Sequence, residues 1–326
     1  IIKKYPYTKV EAFLGDFSWN NHELQKDPFY QDPLPGLGDV RQVVKEYCIL
    51  PLGSQVVHQT APLIRSVLLS GAAECGHQLL VNAVCTEAGA VLFDVSPSNI
   101  VGKYTGGKGK KMLVHLVSKM SRILQPSVVF VGEAEKMFYK KVPKPERAMN
   151  PKFLKTSLPK MVKEVKPEDQ ILYLGTCEMP WLSTGKALAK AYNKIILIPR
   201  PDYGSSSKYW FEKLMTYHGV DRDFLYTSLV DSCRGFSFPA IDRIISRVMT
   251  PRRIIALKYR PLHPTEFLKE SFEESPVTDE LQQKMVTWYN KFYPLAKKRT
   301  EKMTEEAELR QKLAAAEEKR NQRKKK

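Results

Sequence analysis

Short apolar runs alternate with longer amphipathic stretches between residues 65 and 203. The runs are β-branched or bounded by turn residues, and they cover 66–69, 90–95, 127–131, 171–174 and 195–198. Helical periodicity lies between them, over 77–87, 107–125, about 150–164 and 183–191. This alternation predicts a parallel sheet of five strands with helices on both faces, which is a three-layer α/β domain.

The rest of the chain predicts helices around that domain. An amphipathic helix is predicted at 40–47, and helices at 209–218, 224–233, 238–249 and 264–272 predict a small helical lid. A further helix is predicted at 278–292, and the charged, aromatic-free residues 295–326 predict either a single exposed helix or a disordered tail. We therefore expect four parts: an arm (1–31), the α/β domain (32–203), the lid (204–275) and a C-terminal helix with its tail (276–326).

The arm is rich in aromatic residues, which are Tyr5, Tyr7, Phe13, Phe17, Trp19, Phe29 and Tyr30. Such a segment is expected to pack either on the body of this chain or on a neighbouring chain. The chain begins with Ile1 rather than Met, and we expect it to be part of a longer protein.

Composition favours a folded protein of a reducing compartment, cytosolic or cytoskeletal. Hydrophobic residues make up 43% of the 326 residues, and no apolar run is long enough to cross a membrane. The five cysteines are scattered without a CxxC pair, which argues against a disulfide framework and against a zinc site.

The net charge of +17 favours an acidic partner, and the end of the chain contributes part of it. Residues 297–326 carry twelve Lys and Arg against six Glu. Nucleic acid and the acidic surface of a microtubule are the two candidate partners, and a merely solvated surface is the third interpretation. Nucleic acid is disfavoured because no basic motif interleaved with aromatic residues occurs. The Pro-broken basic loop 140–147 is either a solvated loop or a docking patch.

The most informative motif lies between the first strand and the first helix of the α/β pattern. It consists of Gly71, Ala72, Ala73, Glu74, Cys75, Gly76, His77 and Gln78. The two glycines have the spacing of the phosphate-binding loop G-x-x-x-x-G-K-[ST], here called the P-loop. His77 replaces the lysine and is mostly neutral near pH 7, and Gln78 replaces the hydroxyl that would bind Mg²⁺. Glu74 adds a negative charge beside the expected phosphates.

Seven segments in order resemble the AAA+ superfamily over residues 33–250. The segment beside the adenine corresponds to 35–40, the first strand with the P-loop to 66–78, and the first pore loop to 101–107. The Walker B strand corresponds to 128–133, the sensor-1 strand to 171–180, the last strand to 195–202 and the sensor-2 helix to 235–241. The resemblance implies a P-loop NTPase-like αβα domain followed by a helical lid.

The same resemblance implies that the catalytic residues have been replaced. Gly132 stands in place of the Walker B aspartate, Glu178 in place of the polar sensor, and Lys190 and Ala191 in place of the arginine fingers. Glu133 remains at the position of the catalytic glutamate, although a surface carboxylate at a strand end is the simpler interpretation. We expect no ATP hydrolysis, no metal and no cofactor, with residual ATP or ADP binding through helix N-terminal amides as the alternative.

Tyr104 occupies the pore-loop position, where active members of the superfamily use an aromatic residue to grip a polypeptide. Without a hydrolysis cycle, we expect Tyr104 to be a surface or contact residue.

Residues 125–129, 135–143 and 194–203 resemble the IQ- and AAA-domain-containing proteins of motile cilia, in their "1-like" branch. The resemblance implies a structural pseudo-ATPase in the nexin–dynein regulatory complex of the axoneme. The implied partners are other axonemal proteins and the doublet microtubule, reached through the basic surface and tail, with neither membrane nor nucleic acid. Calmodulin would bind only through an IQ motif upstream of this chain. The alternative function is an ATP-binding AAA ATPase that senses nucleotide or remodels partners.

Overall fold

A single sheet of five parallel strands forms the centre of the computed structural model, which describes residues 1–15 and 34–324 and side chains as far as residue 315. The strands are β1 Ser66–Gly71, β2 Val91–Asp94, β3 Ser127–Val131, β4 Ile171–Cys177 and β5 Lys194–Ile198. Their order across the sheet is β2-β3-β4-β1-β5. The predicted five-stranded parallel sheet is confirmed. The arm residues 16–31, with Phe17, Trp19, Phe29 and Tyr30, lie outside the described residues.

Helices cover the sheet and continue beyond it. Those up to β5 are α1 Leu37–Val44, α2 Leu50–Gly53, α3 Gln55–Thr60, α4 His77–Ala88, α5 Pro97–Ile100, α6 Gly106–Ile123, α7 Ala134–Met137, α8 Leu158–Glu164 and α9 Gly185–Ala191. Those after it are α10 Tyr203–Leu214, α11 Thr227–Ser232, α12 Phe238–Val248, α13 Pro251–Ala256, α14 Pro264–Ser271, α15 Asp279–Phe292 and α16 Pro294–Lys324. A π-helical segment, Lys45–Ile49, joins α1 to α2.

Both faces of the sheet are buried. Successive side chains of each strand point to opposite faces, and a core cluster covers each face. Leu68 and Val129 lie in one core cluster with Leu113 of α6. Leu69 lies in the other with Val84 of α4. Strands buried on both faces need near-continuous apolar sequence, which explains why the runs stood out in the pattern.

Proline accounts for two differences between the predicted helices and the structure. The helix expected at about 150–164 is instead two 3₁₀ turns, Lys144–Met149 and Pro151–Leu154, followed by α8. Pro151 removes a backbone donor and disfavours helical conformation at the preceding residue. In the lid, Pro251 begins a helix that was not predicted: Thr250 caps α13 by accepting a hydrogen bond from the Arg253 N–H. Proline fits well at this first helical position.

The first residues of the arm pack on this chain. Ile2 pairs antiparallel with Phe93 at the edge of the sheet. The Lys3 N–H donates to the Leu92 carbonyl oxygen at 3.0 Å, and the Tyr5 hydroxyl donates to the Ala90 carbonyl oxygen at 2.8 Å. The described part of the arm therefore covers an exposed strand edge, which protects it from pairing with another chain.

Of the two C-terminal helices, α15 packs on the body of the protein and α16 is exposed. Met285 and Trp288 of α15 are buried, and Trp288 joins the core cluster on one face of the sheet. Helix α15 thus packs on the α/β part of the chain. Of the two interpretations of the C-terminal segment, the structure has a helix over the described residues Pro294–Lys324, and Leu309 and Leu313 of α16 are exposed. The four domain boundaries themselves stay predictions.

Among the helices of the described residues, none is long and apolar enough to cross a membrane.

We expect Gly185→Ala to destabilise the protein although alanine is the better helix former. A Cβ at residue 185 would lie 2.5 Å from the Phe292 Cε2 atom, so that either the Phe292 ring or the packing of α9 on α15 would have to shift. Overpacking of this kind costs about 1–3 kcal/mol. Urea unfolding measures the loss. The double variant with Phe292→Leu should recover part of it, and an unchanged or raised stability of the single variant would contradict the packing described.

Candidate functional site

A cavity of about 680 Å³ opens at the carboxyl ends of the strands, between the P-loop and the lid. This is where parallel α/β sheets bind ligands. Of the residues predicted to form the site, the cavity is lined by Glu74, Cys75, Gly76, His77, Gln78, Glu133 and Glu178. Gly71, at the end of β1, and Ala72 and Ala73 precede these residues in the same loop and do not line the cavity. The sequence therefore identified seven of the residues that line the cavity.

The two P-loop glycines are required by the backbone. A Cβ at Gly71 would lie 2.7 Å from the Ile198 carbonyl oxygen, and Gly76 has a φ of +89° ahead of α4. Glu74 also lies in the left-handed region, with a φ of +60°. A non-glycine residue there costs about 1–3 kcal/mol, so other contacts must hold Glu74 in place.

His77 cannot supply the positive charge of the missing lysine. Its side chain is buried, with 7% of the residue exposed, and its Nε2 atom has no hydrogen-bond partner among the described residues. Burial lowers the pKa of His77 to about 4, so the ring is neutral at pH 7. The neighbouring Gln78 donates its amide to the Asn82 Oδ1 atom at 3.1 Å, one turn along α4.

The Ser96 hydroxyl occupies the space that a side chain at position 132 would need. The Gly132 N–H donates to the Ser96 Oγ atom at 2.7 Å, and Ser96 donates in turn to the Asp94 carboxylate at 2.5 Å. The Lys3 ammonium from the arm pairs with Asp94 at 3.3 Å. Sequence reasoning missed Lys3, Asp94 and Ser96. The position of Asp94 at the carboxyl end of the buried strand β2 was the available signal.

Three glutamates give the cavity an acidic interior. Glu74, Glu133 and Glu178 all line it. Burial and the negative charge of Glu133 raise the pKa of Glu178. His77 is neutral, so Lys3 is the only cation among the described lining residues, and it is already paired with Asp94. Lys136 and Arg243 pair with Glu133 and Glu74 but do not line the cavity, so a polyphosphate entering it would meet three carboxylates and no unpaired cation of the described lining.

Glu133 is held in an ion pair rather than left to act on a water molecule. Its carboxylate lies 2.8 Å from the Lys136 ammonium, which lies 3.1 Å from Glu146. Burial lowers the pKa of Lys136, but its hydrogen bonds to Glu133 and Glu146 outweigh that effect and raise it.

Glu74 connects the P-loop to the lid. Its carboxylate accepts a hydrogen bond from the Ser237 hydroxyl at 2.9 Å and two from the Arg243 guanidinium at 3.0 and 2.9 Å. Arg243 also donates to Glu274, which pairs with Arg247. The hydrogen bonds from Arg243 lower the pKa of Glu74 despite partial burial. We call this set of contacts the loop–lid clamp. Sequence reasoning found Glu74 and missed Ser237 and Arg243.

Aromatic side chains also line the cavity. Phe13 of the arm packs on the P-loop so closely that a Cβ at Gly76 would lie 2.8 Å from its ring. Tyr209 and Phe238 of the lid form a stacked pair, with ring centroids 4.2 Å apart. The lining of the cavity is thus both aromatic and acidic.

Two predicted positions lie elsewhere. Tyr104 is half-buried against the core, close to Gly109, and does not line the cavity. Lys190 is exposed near the end of α9 and also lies outside the cavity lining. Within residues 1–15 and 34–324, no group of three His, Cys, Asp or Glu is arranged to hold a metal ion.

Comparison with known proteins gives a consistent result. Residues 67–200 match the family model described as ATPase family associated with various cellular activities (AAA). Dynein regulatory complex protein 11 of Mus musculus is 41% identical over 301 residues, which are 90% of this chain and 35% of that protein. Fidgetin of Mus musculus is 28% identical over 232 residues, which are 70% of this chain and 30% of fidgetin. The chain thus spans about a third of the length of these relatives.

Among solved structures, the FIGL-1 AAA domain in complex with ADP has the same fold. Its TM-score is 0.60 at 21% identity, and the match covers 86% of this chain and 94% of that one.

We expect His77→Gln to reduce the acid sensitivity of the fold. The folded pKa of His77, about 4, lies below its ordinary value of 6.5, so the stability that the neutral ring contributes is present above pH 6.5 and is lost as the pH falls towards 4. Between pH 7 and pH 5 this one group should cost the wild type about 2 kcal/mol that the variant keeps. Urea unfolding at both pH values measures the difference, and parallel losses in the two proteins would contradict the burial of a neutral His77.

Proposed function

We propose that this chain, which belongs to the AAA family and is a relative of dynein regulatory complex protein 11, is a non-catalytic AAA module with a structural role in the axoneme of cilia or flagella. In this role it acts as a component of a dynein regulatory complex, docking to other proteins through its folded surface. It neither hydrolyses ATP nor depends on a nucleotide to hold its shape.

The loop–lid clamp is the observation that carries this proposal. A phosphate at the N-terminus of α4, the helix that follows the P-loop, would be the natural anion to join the P-loop to a basic lid. Here the Glu74 carboxylate supplies the negative charge, and Arg243 and Ser237 of the lid bind it directly. The chain thus joins loop and lid with its own side chains.

The chemistry of the cavity supports the absence of hydrolysis. The P-loop cation is replaced by a buried neutral His77, and position 132 has no carboxylate for a metal. Removing a single electrostatic element of an active site typically slows the reaction about 10²–10³-fold. Several such losses together reduce turnover to background.

The location and partners are supported by the relationship and by charge. The identity of 41% extends over 90% of this chain, well beyond the matched AAA segment. The net charge of +17 suits acidic partners, including the surface of a doublet microtubule, and the basic helix α16 projects from the body to reach them. Calmodulin would bind only through an IQ motif outside this chain, and no contact with nucleic acid or membrane is proposed.

A nucleotide-sensing AAA ATPase is the second candidate. The retained glycines Gly71 and Gly76 and the aromatic side chains of the cavity favour it, because the aromatic rings would still suit a base and the glycines the turn around its phosphates. In that case ATP would bind, and the chain would assemble or remodel partners in response.

Hydrolysis and binding assays separate the two candidates. We expect the ATPase rate of the chain with Mg-ATP to equal the buffer background, and Glu133→Gln to leave it unchanged. Millimolar ATP should not raise the melting temperature, because a ligand stabilises only the state that binds it. The variant Glu74→Gly/His77→Lys/Gln78→Thr, with the P-loop lysine and hydroxyl restored, is the positive control for binding and should be stabilised by ATP.

Two results would contradict the proposal. The first is a rate above background that Glu133→Gln abolishes, and the second is an ATP-dependent hexamer of the wild type in size-exclusion chromatography.

A further inference from the structure

A second concave region, here called the basic groove, lies between residues 180–186 and helix α15. Its volume is about 800 Å³, and it shares no lining residue with the cavity below the lid. One wall is fixed by backbone pairing, since Tyr139 bridges Ser183 and the Thr184 N–H donates to the Phe138 carbonyl oxygen at 2.8 Å. The other wall is α15, which packs on the core through Trp288. Both walls are therefore rigid before any partner binds.

The basic groove has a strong excess of positive charge. Lys140, Lys186, Lys284 and Lys291 line it, against a single acidic residue, Glu280. All four lysines are exposed, and none forms an ion pair with an acidic residue in the described part of the chain. Lysines that are left unpaired around a concavity attract anions from solution.

Aromatic side chains lie between these lysines. Trp181, Trp288 and Phe292 line the groove, and Phe292 is held against Gly185. Trp288 is 4% exposed, and its indole N–H has no acceptor among the described residues. A buried indole N–H normally finds a partner, and this one has none among the described residues. The hydroxyl-bearing Thr184 and Thr287 also line the groove.

We propose that the basic groove binds an acidic peptide segment of a partner protein. Glutamate or aspartate side chains would contact the four lysines, and an apolar side chain of the peptide would pack on Trp181. The choice of a protein partner rests on the proposed structural role of the chain. It also gives the basic loop 140–147 a docking function, since Lys140 belongs to both.

The side chains favour a peptide over other anions. All four cations of the groove are lysines, and the lining has no arginine, which is the residue preferred for bidentate phosphate and base contacts. A lysine is a point charge that suits single carboxylates. The groove is also concave, whereas a membrane surface would require the lysines to lie on a flat or convex face.

Fluorescence anisotropy with the full chain tests the proposal. The probe is a labelled peptide of glutamates containing one tyrosine, and the matched control peptide has glutamines instead. We expect the acidic peptide to bind and to dissociate as salt is raised. Reversing two groove charges, Lys186→Glu/Lys284→Glu, should weaken binding at least about tenfold, which corresponds to about 1.4 kcal/mol. Lys186→Arg/Lys284→Arg should retain it.

The matched control is Lys258→Glu/Lys269→Glu, which makes the same change of net charge at exposed lysines of the lid. We expect less than about a twofold loss for this pair, since distant surface charges are screened. Trp181→Ala should weaken binding severalfold without any change of net charge. Thermal melts of each variant establish that it is folded.

Several results would overturn the proposal: equal losses for the groove and lid pairs, no binding of the acidic peptide, an unchanged affinity of the groove pair, or tighter binding of single-stranded DNA or of anionic vesicles. None of these bears on the ATPase and melting assays, so a failure of the groove leaves the proposed lack of catalysis standing. A wild type that hydrolyses ATP would in turn leave peptide binding to the groove intact.

Discussion

The contact between Glu74 and Arg243 is the interaction on which the account of this molecule depends. It joins the P-loop to helix α12, and through Glu274 and Arg247 it extends along the lid. Glu74 adopts a left-handed conformation that favours glycine, and its half-exposed carboxylate is held by Arg243 and Ser237. Because that carboxylate lies beside the cavity, the same interaction that joins loop and lid also places negative charge where phosphates would lie.

The other changes in the cavity agree with that arrangement. A lysine at position 77 would bring a positive charge into the cavity, whereas the buried neutral histidine does not. A carboxylate at position 132 would add to the repulsion among Glu74, Glu133 and Glu178, and Ser96 takes its space instead. The glycines remain for a different reason. Gly71 passes close to Ile198, and Gly76 requires a left-handed turn, so both are needed for the fold whether or not a nucleotide binds.

The sequence was informative where a local rule decides the outcome and less so where distant residues meet. Strands buried on both faces must be apolar along their length, so all five could be predicted, and the glycine spacing identified the P-loop. Lys3 and Asp94 are 91 positions apart, and Arg243 lies 169 positions from Glu74, so no periodicity could join them. The proline-broken turns before α8 and the helix begun by Pro251 show the same limit, because proline both ends and begins helices.

Hydrogen–deuterium exchange of the lid helix Phe238–Val248 tests most directly whether the chain closes its own lid. We expect wild-type amides in this helix to be protected equally with and without Mg-ATP. Glu74→Gln, which removes the charge that binds Arg243, should raise their exchange severalfold, while Glu212→Gln, at an exposed lid glutamate, should not. Unchanged exchange in Glu74→Gln, or protection of the wild-type lid by ATP, would contradict the claim that a carboxylate of this chain does the work of a bound phosphate.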